Sequence, residues 1–175
     1  ARGAAGEPVS ASRIPKSAFA VPRPFLALAD AAACHADADR WALLYRVLWR
    51  LTHGAPALLE DHADPDVARI ARLARAVRRE EHKCHAFVRF RLAHEADGAE
   101  AYVAWFEPVH DVLVRAAPFF ARRFPNMRWA ILSPRRVVRW DGAALDVGPG
   151  VGRDAAPADD ALETLWRTYY AHVFN

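Results

Sequence analysis

Apolar positions recur every three or four residues along the first half of the chain and alternate along much of the second. Trp41, Leu44, Tyr45, Leu48 and Leu51 form a stripe at helical spacing. They predict a helix capped by Asp37 or Asp39, stopped at Gly54, with Tyr45 and Trp49 packed in the core. A shorter helix is expected from Phe25 to about Cys34. Asp64-Pro65-Asp66 combines an N-cap, a proline at the first helical position and an acid in the first turn. The helix it opens carries Val67, Ile70, Leu73, Ala74 and Val77 inward and is expected to run to about His82. Its other face carries Arg69, Arg72, Arg75, Arg78 and Arg79.

From Ala86 the period becomes two. Val88, Phe90 and Leu92 fall on one face, and Phe87, Arg89 and Arg91 on the other. Asp97-Gly98 is a hairpin signal, with Tyr102 to Phe106 as the return strand. A two-residue turn there sets Phe90 opposite Trp105 and Leu92 opposite Val103. Arg89 and Arg91 then share a face with Tyr102, Ala104 and Phe106. Pro108 should open a helix that Pro118 breaks or kinks before a core group of Phe119, Phe120 and Phe124. Strands are expected at Trp129–Leu132 and Val137–Trp140. Asp141-Gly142 should close a second tight hairpin with Val138 against Leu145, followed by a loop at Gly148–Gly152. Asp159 or Asp160 begins a last amphipathic helix with Leu162, Leu165, Trp166, Tyr169 and Val173 inward. Residues 1–24, with four prolines, read as a linker or loosely ordered lead-in. Residues 25–175 read as a single α+β domain, its helices packed around a small antiparallel sheet built from two hairpins.

Composition adds four constraints. An apolar share of 53% is enough for a core. No apolar run reaches the roughly 18 residues of a membrane span, and no secretion signal is visible, so a cytoplasmic protein is expected. The first residue is not Met, which suggests a fragment of a longer chain. The two cysteines, Cys34 and Cys84, are too few for a disulfide framework or a four-thiolate cluster, and no cofactor or metal is expected.

The net charge of +3 conceals an asymmetry. Residues 69–139 hold 15 Lys/Arg against 7 Asp/Glu, a net +8, while residues 140–175 hold 2 against 6, a net −4. A basic centre between acidic or neutral flanks suits a polyanion-facing surface.

Three constellations carry candidate chemistry. His82 and His85, beside Glu80 and Glu81, lie three residues apart and could share a helix face, though without the stronger zinc-protease spacing. Glu107 and His110 follow the return strand, whose register brings them near His85. Together, His82, His85, Glu107 and His110 are the candidates for acid–base work; capping and solvation are the alternatives for the same residues. The third set mixes guanidinium with rings. Arg78, Arg79, Lys83, Arg89, Arg91, Tyr102, Phe106, Arg128, Arg135, Arg136 and Arg139 are the candidates for nucleic-acid binding, by cations on phosphates and rings under bases. The alternative is solvated arginines around buried rings. Gly148 to Arg153 matches neither a P-loop nor a dinucleotide fingerprint.

The segments Trp41–Arg50, His82–Arg91, Ala104–His110, Ala117–Phe124, Met127–Pro134 and Leu165–Tyr170 together resemble a bacterial domain family of unknown function described as "probable DNA metabolism". The resemblance covers about residues 21–175. Members of that family occur N-terminal to X-type uracil-DNA glycosylase-like domains in one polypeptide, or beside a radical SAM protein thought to act in DNA repair or modification. The resemblance therefore implies DNA, including single-stranded or uracil-containing DNA, and those two proteins as partners. It transfers no catalytic residue. The Gly-Glu-x-Pro-Gly motif of the glycosylase is absent from these 175 residues. At Cys84 relatives are expected to carry Met, which argues against a chemical role for the thiol. Three functions stay open: a nucleic-acid-binding accessory domain, an enzyme acting on a damaged or modified nucleobase, and a protein-docking domain. Whether the chain is an enzyme is not decided at this point.

Overall fold

Three residues fix the start of the longest helix. In the computed structural model, which describes residues 21–94 and 100–153, Asp64 accepts hydrogen bonds from the backbone N–H groups of Asp66 and Val67, and Pro65 takes the first helical position. Helix α3 spans Pro65–Phe87. It is preceded by α1, Arg23–Ala32, and α2, Arg40–Thr52. Arg50 pairs with Asp64 at 2.6 Å and with Asp66 at 3.2 Å, while Arg46 holds Asp66 at 2.8 Å. The cap of α3 is thus also its tie to α2. α1 begins two residues earlier than expected, because Pro22 and Pro24 sit at its start, where a missing N–H costs nothing.

α3 outlasts its expected end at His82 by five residues. Cys84 lies one heptad beyond Val77, both are fully buried, and no Gly or Pro intervenes. Residues 82–87 therefore continue the helix, and the strand expected from Ala86 begins only at Arg91.

α2 is rotated from its predicted face. Leu43, Leu44, Val47 and Leu51 are buried against Phe25 and Ala32 of α1 and Val67, Ile70 and Leu73 of α3. Trp41, Tyr45 and Trp49 are 58%, 66% and 50% exposed, so the expectation of core aromatics at Tyr45 and Trp49 is corrected. Both sets obey helical spacing. The compact aliphatic row fits the narrow space between helices, and the rings stack on one another outside it, Tyr45 at 6.3 Å from Trp49 and Trp49 at 3.6 Å from His53.

The strands are β1 (Arg91–His94), β2 (Glu100–Trp105), β3 (Trp129–Leu132), β4 (Arg136–Trp140) and β5 (Leu145–Pro149), with α4 (Leu113–Arg123) between β2 and β3. They form one sheet in the order β1-β2-β3-β4-β5. The pairings β1/β2, β3/β4 and β4/β5 are antiparallel; β2/β3 is parallel. The α+β class stands. The expected antiparallel pairs β1/β2 and β4/β5 are present, but the sheet expected to be antiparallel is mixed, because α4 returns the chain to pair β3 alongside β2 in the same direction.

Two registers also differ. Arg91 pairs with Val103 and Leu92 with Tyr102, one residue from the expected pairing. A one-residue slip exchanges faces: Ala93 is buried, and Leu92 is 47% exposed. The Asp97-Gly98 turn lies outside the described residues, as does the helix expected from Asp159. Trp140 pairs with Leu145 and Val138 with Val147, a two-residue shift that keeps every face. Asp141 lengthens this turn by accepting the N–H groups of Ala143 and Ala144, both at 2.7 Å.

α4 starts at Leu113 rather than at Pro108 and runs through Pro118. Burial of Leu113, Ala116, Ala117 and Phe120 holds the helix across the missing hydrogen bond. These residues pack with Val77 and Cys84 of α3 on one sheet face, against Ala104, Trp129, Ile131 and Val138. The opposite sheet face is also buried, with Ala93, Val103, Ala130, Leu132 and Val137. At Gly150 a Cβ would lie 2.2 Å from the Pro134 carbonyl oxygen, so only glycine lets the end of β5 close on the β3–β4 turn. No described helix is long and apolar enough to cross a membrane.

Candidate nucleic-acid interface

The extension of α3 carries His85 to the edge of the sheet, beside Val88 to Phe90 on the way into β1. Across from it lies the C-terminal half of α4. Between them opens a cavity of about 450 Å³ walled by Phe90, Tyr102, Phe119, Phe120 and Phe124. Its rings meet edge to face: Phe90 to Phe120 at 5.6 Å and Phe90 to Phe124 at 5.8 Å, the geometry aromatic quadrupoles favour. His85 stacks on Phe119 at 4.2 Å, and its Nε2 is buried without a hydrogen-bond partner. A second depression of about 430 Å³ shares Tyr102, Phe124 and Met127 with the first and adds Arg128 and Glu100. The two form one groove at the end of the sheet where β2 and β3 begin.

Cations rim this groove. The Nη1 of Arg89 donates to the carbonyls of Ala86 and Val88 at 2.7 and 3.0 Å, which fixes its guanidinium at the C-terminus of α3. Arg123 lies 5.4 Å from the centre of the Phe124 ring. Arg79 and Lys83 are exposed on α3, as is Arg78, which also donates to the Ala27 carbonyl at 3.1 Å. Arg69, from the same basic face, is instead tied to Asp37 at 2.8 Å.

The other candidates for nucleic-acid binding separate. Arg91 is exposed but pairs with Val103, which puts it on the sheet face opposite Tyr102, contrary to the expected shared face. Phe106, Arg135 and Arg136 sit at the far ends of β2 and β3, where Phe106 donates to the Leu132 carbonyl and Arg136 pairs with Asp111 at 2.6 Å. Arg139 is 5% exposed and bonded to Asp146 at 3.2 Å, so it cannot serve a polyanion as expected. Trp129 is buried. Arg123, absent from the sequence candidates, joins the groove; its signal was only its place one helical turn from Phe119 and Phe120.

The four acid–base candidates do not converge, and no hydrogen bond joins any two of them. His82 is exposed on α3, His85 belongs to the groove, and Glu107 meets Arg153 at 3.5 Å in solvent. His110 faces His35, ring centres 4.1 Å apart. The Nδ1 of His110 accepts the Ala36 N–H at 3.3 Å, and the Nδ1 of His35 accepts the Asp37 N–H at 2.9 Å. Both rings are therefore neutral with the proton on Nε2. Burial lowers both pKa values; for His110 the neighbouring His35 lowers it further. The pair fastens the α1–α2 loop to the loop before α4, helped by the Asp111 N–H on the Cys34 carbonyl. Sequence reasoning passed over His35 because an isolated histidine carries no spacing signal. Burial pushes the Cys84 thiol up to about 12 and raises that of Cys34, so neither is a ready nucleophile. Among the described residues no three His, Cys, Asp or Glu side chains gather closely enough to hold a metal.

No curated protein matches the chain, and no solved structure does. Residues 38–175 match the family described as DUF4130, a domain of unknown function, and the chain belongs to that family.

Proposed function

We propose that this chain is a nucleic-acid-binding accessory domain of a bacterial DNA repair or modification system, holding unpaired strands. The observation that carries the reading is the groove: five aromatic side chains rimmed by Arg89, Arg123 and Arg128, on a chain whose α3 also exposes Arg78, Arg79 and Lys83. Single strands are bound by this pairing of cations on phosphates with rings under bases. A duplex, whose bases are already stacked, offers these rings no free base faces. The resemblance noted above supplies the system: a uracil-DNA glycosylase-like domain in the same polypeptide, or a radical SAM protein as a separate partner. A titration of single-stranded and duplex oligonucleotides against salt tests the reading. Tighter binding of the single strand, with affinity falling as salt rises by about 0.7 log units per log unit for each phosphate contacted, supports it. Failure of both to bind at low salt rejects it.

The enzyme alternative loses its geometric support with the dispersal of His82, His85, Glu107 and His110. The docking alternative keeps one: the exposed row Trp41, Tyr45 and Trp49 on α2, since aromatic residues concentrate at protein interfaces. Capture of the purified glycosylase-like or radical SAM partner without DNA, abolished by Trp49→Lys, is the result that favours it.

A further inference from the structure

We infer that the inner end of the groove is a pocket for one unstacked nucleobase, with Arg89 and Arg123 placed for the phosphates on either side of it. This rests on the nucleic-acid reading and names what that site takes. The ligand must present a flat π face, because the inner walls are ring faces and edges: Phe90, Tyr102, Phe119, Phe124 and the imidazole of His85. It must carry negative charge at its margin. Among the described residues, the charged side chains lining the inner cavity are Arg89 and Arg123, and the one lining carboxylate, Glu100, belongs to the outer depression. A nucleotide within a strand has both properties.

The volume is that of a small-molecule site. About 450 Å³ lies low in the range of roughly 300–1,000 Å³ typical of small-molecule sites. Arg89 is also prepared for an anion: two backbone carbonyls hold its Nη1, so its Nε and Nη2 edge is set without cost at binding. His85 lines the cavity, and its Nε2 is buried without a partner, whereas buried polar atoms are normally paired. The ring stacked on that imidazole, Phe119, is 37% exposed, so it can turn outward and stack on the entering base.

The test compares a thymidine tetranucleotide with a tetramer of the same backbone lacking all bases, each titrated against the full chain by fluorescence anisotropy. The intact strand should bind about tenfold more tightly, the lower end of what one base stacked on aromatic rings contributes. Phe119→Ala, checked for folding by circular dichroism, should remove most of that advantage while leaving the abasic strand unchanged. A 2-aminopurine in the intact strand should lose fluorescence on binding, a readout that does not depend on any variant. Equal affinity for the two strands with a shared salt slope, or an unquenched 2-aminopurine, overturns the pocket but leaves backbone binding standing. If neither strand binds at low salt, the nucleic-acid reading fails together with the pocket.

Discussion

Asp64 shows how much one side chain does here. It caps α3, accepts two backbone N–H groups and receives Arg50; the Arg50 hydrogen bond, followed by the backbone N–H groups, lowers its pKa to about 2 from 3.8. Its folded pKa is depressed, so its contribution is complete above the unfolded value and is lost as pH falls toward 2. Asp64→Ala should lower the melting temperature by a few degrees at pH 7, and the difference from the parent should shrink in acid; calorimetry at pH 7 and pH 3 checks both. The His35–His110 pair acts at a higher pH. Burial depresses both rings below 6.5, so the unfolded chain takes up protons first as pH falls. Stability is therefore full above about 6.5 and declines below it. The groups facing the pair temper this: Asp37 and Glu80 favour the protonated rings, and Arg40 and Arg135 oppose them. His110→Gln should flatten the dependence of melting temperature on pH between 7 and 5, and an unchanged slope would remove the pair as its cause. At this scale the Asp64 cap was legible from sequence, because a cap is a local pattern. The histidine pair was not, since it joins residues 75 positions apart in the chain.

At the scale of elements, helical spacing located α2 and left its buried face ambiguous. Two apolar rows fit the same period, and the helix buries the aliphatic one. Leu43→Ala, at a side chain 1% exposed, should cost about 2–5 kcal/mol in urea unfolding. Trp49→Lys should fall within about 0.5 kcal/mol of the parent; the reverse order would mean the face is assigned wrongly. The β1–β2 register escaped sequence reading for a related reason. Val88 and Phe90 alternate as a strand would, yet they belong to the chain leaving α3, and the small Ala93 and Ala101 set the true inward positions. The β4–β5 hairpin was read closer to its faces, because its error was a whole period of two. Gly150 marks where β5 meets the β3–β4 turn. Gly150→Ala places a methyl against the Pro134 backbone and should lower the melting temperature more than Gly152→Ala, where a Cβ meets nothing within 4 Å.

For the whole molecule, the α+β class followed from the order of periodicities, while the joining of all five strands did not. A parallel β2/β3 pairing is decided by how α4 packs, which no local pattern contains. The same long-range step made the groove. Its rings come from residues 90, 102, 119, 120 and 124, gathered only when α3 runs on to Phe87 and α4 crosses back. Composition had already shown the excess of cations in this third of the chain, but not that Arg89 and Arg123 would rim the cavity while Arg139 was buried. On the proposed reading this groove holds an unpaired strand. Its most direct test is the affinity of a single-stranded oligonucleotide across a salt series, for the parent chain and for the Arg89→Ala, Arg123→Ala double variant. Measurable binding at low salt is expected, with a negative salt slope that becomes shallower by about 1.4 in the double variant, at roughly 0.7 per lost phosphate contact. Binding whose affinity and slope are unchanged by removing both arginines would contradict it.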